Sequence, residues 1–254
     1  MFKIDDYVTR KSYHNDLIFK IIKIDDDIAT LLGFSKRLIA DANVADLELV
    51  KSETLKEKEN ENLKRLKPFT KLHRHKLHMT GKILHIDGDN TYLEKCLKLY
   101  KDMGLPAYGV HVSEVQIKNC VLELIDRLNP DIIVITGHDS YNKKGIKDLK
   151  NYRNTNDYVE AVKLIRKHYS KDHIFIFAGA CQSNFEALMA AGANFASSPK
   201  RVNIDAYDPA IVAIKAAVTP FSDIIDINEI KELLDHQKDG ISGIESYGKM
   251  RLFL

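Results

Sequence analysis

Residues 173–188, HIFIFAGACQSNFEAL, set Cys181 directly behind the apolar run Ile174–Ala178 and a glycine. A cysteine at such a strand-to-helix turn faces the amino end of the next helix, where backbone N–H groups favour a thiolate and can hold an oxyanion. Gly179 and Ala180 leave room for a carbonyl to approach. A buried structural thiol would look the same from this stretch alone. A second stretch, PDIIVITGHD, also ends an apolar run, and it ends at His138. Cys181 follows one helical crossover later, and the flanking Gly137 and Asp139 make a core location poor for the imidazole. A nucleophile with a histidine at the neighbouring strand end is what a Cys–His dyad requires. Backbone N–H groups of Gly137 and Cys181 are the expected oxyanion donors.

These residues need a frame. From Gly81 onward apolar strands alternate with helices: KILHID, PAYGVHV, PDIIVITGHD, HIFIFAGAC and NFASSP as strands, and NTYLEKCLKLYKDMG, VQIKNCVLELIDRLN, DYVEAVKLIRKHY, NFEALMAAGA, PAIVAIKAAVTPF and INEIKELLDHQ as helices. Continuous apolar strands joined by helices predict a mostly parallel, doubly wound α/β sheet covered on both faces, with ligands at the carboxyl ends of its strands. A polar excursion, SYNKKGIKDLKNYRNTN, follows His138. Cys96 and Cys120 fall in helical patterns and read as core.

Ahead of this domain, residues 1–50 carry short β-rich runs and read as a small SH3-like β-barrel of about five strands. Residues 51–80 are dominated by charge and read as a linker. Leu55, Leu63 and Leu66 are spaced roughly for a helix, and Pro68 would end it. His73, His75 and His78 cluster there without an acidic or cysteine partner, so a metal site is not expected. If the Cys–His dyad cuts peptides after basic residues, this linker is its expected site of self-cleavage, between Lys51 and Lys76. The catalytic domain then spans 81–254.

Composition narrows the classes. Lys and Arg total 38 against 36 Asp and Glu, a net charge of +2, too mild to imply nucleic acid as a partner. No apolar run approaches the ~18 residues of a membrane helix, and the N-terminus lacks a signal-peptide core. Three widely spaced cysteines argue against a disulfide framework or a structural zinc. The expectation is therefore an intracellular protein with no metal and no cofactor.

The His-before-Cys order, each after an apolar strand, resembles the caspase-like clan of cysteine peptidases, from which this chain departs by carrying Asp139 where the clan has glycine. GACQS also loosely resembles the nucleophile elbow of glutamine amidotransferases, but their histidine follows the cysteine. The stretches KILHIDGDNTYLEKCLKLYK, PDIIVITGHDSYNKKGIKDLKNYRNTNDYVE and FAGACQSNFEALMAAGANFASSPKRVNIDAYDPAIVA resemble the YabG family of sporulation-specific peptidases. So do DYVTRKSYHNDLIFKI and RLIADANVADL, and the resemblance covers nearly the whole chain apart from the linker. It implies a peptidase that trims spore coat and related proteins, working in the cytoplasm of the sporulating cell or at the spore coat.

Aspartates gather at the strand ends: Asp87, Asp89, Asp139 and Asp205. A carboxylate at a pocket floor would pair bidentately with a guanidinium, so cleavage after arginine is expected. Asp89 also suits a helix N-cap. The alternative reading takes Asp87-x-Asp89-x-Thr91 as a magnesium-dependent haloacid-dehalogenase-type phosphatase motif, but FAGAC and FASSP supply no downstream acidic pair. A third reading is a non-catalytic coat scaffold.

Overall fold

A computed structural model describes residues 2–66, 78–234 and 239–253. The chain divides into two compact units, Met1–Thr70 and Lys71–Leu254.

In the first unit, β1 (Tyr7–Arg10), β2 (Phe19–Asp25), β3 (Ile28–Gly33), β4 (Ile39–Asn43) and β5 (Leu47–Leu49) pair antiparallel in the order β4-β3-β2-β1-β5. The expected five strands are present, with β4 and β5 at the two edges of the sheet. Val8, Phe19, Ile21, Ala29, Leu31 and Leu47 form its separate core. The first part of the expected linker is a helix, α1 (Ser52–Leu66). Its glutamates, lysines and leucines are strong helix formers, which explains regular structure in so charged a segment. His73 and His75 lie outside the described residues, as does much of the expected self-cleavage stretch.

The second unit is built on a six-stranded sheet. Its strands are β7 (Ile83–Asp87), β8 (Ala107–His111), β9 (Ile132–Thr136), β10 (Phe175–Ala178), β11 (Phe195–Ser197) and β12 (Ile241–Gly243), in the order β12-β11-β10-β9-β7-β8. All neighbours run parallel except β12, which is antiparallel to β11. A two-stranded piece pairs β6 (His78–Met79) with β13 (Arg251–Leu252). Every residue of β7, β9 and β10 is buried, as the apolar runs of β9 and β10 predict; β7 buries His85 and Asp87 among its apolar residues. By contrast, β8 is an edge strand and mostly exposed.

Helices cover both faces of this sheet. Leu84, Ile86, Ile133, Ile135, Ile176 and Ala178 face α3 (Ile117–Leu128), α4 (Thr155–Arg166) and α5 (Phe185–Ala191). The alternate side chains face α2 (Asn90–Asp102) and α6 (Asp208–Val218), and α7 (Ile227–Leu233) packs on α6. Left-handed residues end three of the helices: Gly104 follows α2, Asn129 caps α3 and Gly192 caps α5.

One buried carboxylate ties this framework together at the carboxyl ends of the strands. Asp139, just past β9, accepts hydrogen bonds from the amides of Ser140 and Asn154 at Oδ1. Its Oδ2 accepts from the Thr155 hydroxyl and, at 2.8 Å, from the Ser183 hydroxyl. Thr155 opens α4, and Ser183 lies in the turn after β10. Burial pushes the Asp139 carboxyl above its ordinary 3.8, against the pull of those four bonds. A carboxylate with a raised folded pKa holds its proton more tightly when folded. Its contribution is therefore most favourable below pH 3.8 and declines as pH rises from there through the folded value. Replacing Asp139 by alanine strands two amides and two hydroxyls. Urea unfolding of Asp139→Ala is expected to show a loss of about 2–4 kcal/mol and a flatter dependence on pH from 3.8 upward; a loss under about 0.5 kcal/mol would contradict this role.

Candidate active site

The chain passes from β7 outward to β8 and then returns to β9 on the other side of β7. This reversal opens a crevice at the carboxyl ends of β7 and β9, where open α/β sheets bind ligands. Asp87 is in register with Thr136, so Asp89 and His138 both lie two residues beyond the paired ends. Across the sheet Ala178 is in register with Ile135, so Cys181 and His138 both lie three residues beyond that pair.

Asp89 has two tasks, one for each oxygen. Its Oδ1 caps α2 by accepting from Thr91 N at 2.8 Å and Tyr92 N at 3.1 Å. Its Oδ2 lies 2.8 Å from His138 Nε2. Burial works to raise the Asp89 carboxyl, but the hydrogen bond and charge of His138 together with the Tyr92 amide outweigh it, and the pKa falls below its ordinary 3.8. This pair therefore adds stability that is present above pH 3.8 and lost as pH falls through the depressed folded value. A carboxylate at Nε2 selects the tautomer protonated there and leaves Nδ1 for other partners.

The histidine is held at its backbone as well. Its amide donates to Glu114 Oε1 at 2.8 Å, and its carbonyl accepts from Asn154 Nδ2 at 2.8 Å and the Tyr158 hydroxyl at 2.9 Å. The Tyr92 ring meets the imidazole edge-on at 5.9 Å. Glu114 reaches this position from the segment after β8 by lying across two glycines. A Cβ at Gly88 would come within 2.2 Å of Glu114 Oε1, and one at Gly137 within 2.5 Å. Sequence reading passed over Glu114. The available signal was a glycine at the end of each of two adjacent strands.

Cys181 is only 2% exposed. Its sulfur accepts from Ile204 N at 3.3 Å and lies 3.9 Å from Ile204 O, covered at that residue. Gln182 takes a left-handed conformation with φ 58°, and its amide donates to Val202 O. The expectation that Cys181 faces the start of the next helix needs correction. Helix α5 begins at Phe185, capped by Asn184 Oδ1 on Ala187 N, so a separate turn carries the cysteine. Gly179 makes that turn possible with φ 106°; a Cβ there would lie 2.6 Å from Ser197 Oγ and 2.7 Å from Leu188 Cδ1.

The remaining aspartates are engaged inside the fold. Asp87 accepts from Asp89 N at 3.0 Å and lies 3.4 Å from His85 Nε2, whose Nδ1 meets the Tyr100 hydroxyl. Asp205 is buried, its Oδ1 accepting from Tyr207 N and its amide donating to Asp208 Oδ2. Asp139 is the tie described above. Cys96 is buried, with its thiol 3.4 Å from Ala206 O, and Cys120 is half-buried on α3. Among the described residues, no three His, Cys, Asp or Glu side chains are grouped so as to hold a metal ion, and no helix is long and apolar enough to cross a membrane.

Comparison with known proteins points one way. The chain is 43% identical over 281 residues to the sporulation-specific protease YabG of Bacillus subtilis (strain 168), covering 99% of this chain and 97% of that protein. Two solved response regulator/GGDEF proteins align with TM-scores of 0.32 at 16% and 15% identity, over 56% and 57% of this chain and 49% of each of theirs, a likeness too slight to show a shared fold. The family model described as YabG peptidase U57 matches residues 3–254. Matched over nearly its whole length by that model and by a relative of this identity, the chain belongs to the YabG peptidase family.

Proposed function

We propose that the protein is a cysteine endopeptidase acting in sporulation, with Cys181 as nucleophile and His138 as acid and base. The observation that carries this reading is the Asp89–His138 pair, 2.8 Å long, at the strand ends that adjoin the Cys181 turn. Substrates are proteins of the spore coat and its surroundings, the class to which the family resemblance points. Membership of a peptidase family sets aside the magnesium-dependent phosphatase reading of Asp87 and Asp89.

The reaction follows from these groups. His138 takes the thiol proton at Nδ1 while Asp89 holds Nε2–H and stabilises the imidazolium. The Cys181 sulfur adds to the scissile carbonyl, and the backbone N–H groups of Gly137 and Cys181 stabilise the oxyanion. Collapse breaks the C–N bond, and His138 returns the proton to the departing amine. A water deprotonated by the same imidazole then hydrolyses the thioester. Because the sulfur rests beneath Ile204, substrate entry requires the segment 199–207 to move aside. Asp205 directly follows Ile204, which supports it as a contributor to a pocket selecting arginine at the cleaved position.

Cys181→Ala and His138→Ala are each expected to abolish cleavage of a fluorogenic peptide with the fold retained, urea unfolding showing for His138→Ala a loss of about 1 kcal/mol from the broken pair with Asp89. Retained cleavage by purified Cys181→Ala would remove the cysteine from the mechanism and favour the scaffold reading. Asp89→Asn should lower kcat by about a hundredfold or more with KM little changed. In Glu114→Ala a smaller loss of kcat is expected, and Glu114→Gln should restore most of it because its amide oxygen still accepts from His138 N; equal activity in all three forms would remove Glu114 as a positioning residue. Peptides differing only at the cleaved residue should be cut fastest after arginine. Faster cleavage after aspartate or leucine would refute that specificity, and an unchanged preference in Asp205→Asn would remove Asp205 from the pocket.

A further inference from the structure

The excursion between β9 and α4, residues 140–154, takes no part in the chemistry above, yet it is an organised structure. Tyr141 and Tyr152 form an antiparallel bridge, with rings stacked 4.8 Å apart. Asn142 N donates to Asn151 O at 3.0 Å, Gly145 N to the Tyr141 hydroxyl at 3.0 Å, and Asn151 Nδ2 to Gly145 O at 2.8 Å. The hairpin is pinned beside the candidate active site. Tyr141 N donates to Gln182 Oε1, next to Cys181; Asn184 Nδ2 donates to Ile146 O at 2.7 Å; Arg201 Nε meets the Tyr152 hydroxyl. Its own start comes directly after His138 and Asp139.

This hairpin exposes Lys143, Lys144, Lys147, Lys150 and Arg153, with Asp148 as the one acidic residue in the segment. Asp148 is occupied locally, accepting from Lys150 N. None of the five cations forms an ion pair with a described carboxylate, whereas Lys20, Lys98, Lys118 and Lys215 elsewhere on the chain each do. Ile146 stands among the cations 53% exposed. Fixed like charges without counter-charges, around an apolar side chain, constitute a surface complementary to an acidic chain.

We propose that the 140–154 hairpin is an exosite that captures an acidic segment of the protein substrate close to the bond to be cut. It deepens the peptidase reading, which supplies the neighbouring scissile bond, but the binding itself does not depend on that reading. Organised cations recruit an acidic chain by steering it and by slowing its escape, and both effects weaken with salt.

Two measurements on the full chain separate the possibilities. In the first, fluorescence anisotropy follows binding of a labelled peptide with a run of Asp and Glu beside a single Arg, compared with a peptide in which that run is Ser and Gly. The acidic peptide is expected to bind about tenfold tighter at low salt, with the difference gone near 1 M salt. The triple variant Lys143→Glu, Lys144→Glu, Lys147→Glu should lose that advantage while binding the neutral peptide as before. In the second, kcat/KM for the acidic peptide should exceed that for the neutral one by a similar factor, and the triple variant should equalise them. If neither peptide is cut but the anisotropy difference stands, the exosite holds and the proteolytic assignment fails. Equal binding of the two peptides overturns the exosite, as does a triple variant that keeps the preference. Salt-sensitive capture of single-stranded DNA with no preference for the acidic peptide would also overturn it, in favour of nucleic acid.

Discussion

A single buried carboxylate decides whether this site exists. The strands set the heights of His138 and Cys181, but each strand stops short of that residue and gives way to loop. Asp139 reaches across that gap with hydrogen bonds to the first turn of α4 and to the Ser183 hydroxyl. It therefore joins the chain just past the histidine to the turn that carries the cysteine. Water around a loop cannot do this, because exposed hydrogen bonds exchange with solvent at little net gain. Desolvation is opposed by four donors, and a buried acceptor that leaves none of them without a partner restricts the surrounding backbone to one arrangement. Asp89 and Glu114 then complete the restraint on the histidine, one at its ring and one at its amide.

The parallel sheet was legible in the sequence because its strands are apolar on both faces. IIVIT and FIFA could hardly be anything else next to amphipathic helices. The neighbouring positions of His138 and Cys181 followed from the same pattern. Harder to read were features made by contacts distant in sequence. The antiparallel edge strand Ile241–Gly243 has only three residues and no alternation to betray it. The pairing of His78–Met79 with Arg251–Leu252 joins segments near opposite ends of the second unit. Charge in residues 52–66 suggested a linker, although the same glutamates and lysines are good helix formers.

The aspartates teach a similar lesson. Taken as a set, they suggested a pocket for a basic residue. In the fold each is first of all a local acceptor: Asp89 a cap, Asp139 a tie, Asp205 and Asp208 partners at the start of α6. A carboxylate near a strand end meets many unpaired amides, so composition at strand ends reports backbone demand before it reports substrate. The partner of the histidine was within this set, but its pairing depended on register between β7 and β9, which sequence alone does not reveal.

The covered sulfur of Cys181 has a chemical consequence. Thiolates are attacked by peroxide and by electrophiles in proportion to their exposure. A sulfur beneath Ile204, with an amide hydrogen pointed at it, is shielded from both. Oxidative damage at this thiol then requires the cover at Ile204 to move first. With the sulfur covered as it is here, the thiol is kept from an oxidising setting, and under the proposed mechanism only a molecule admitting substrate exposes it.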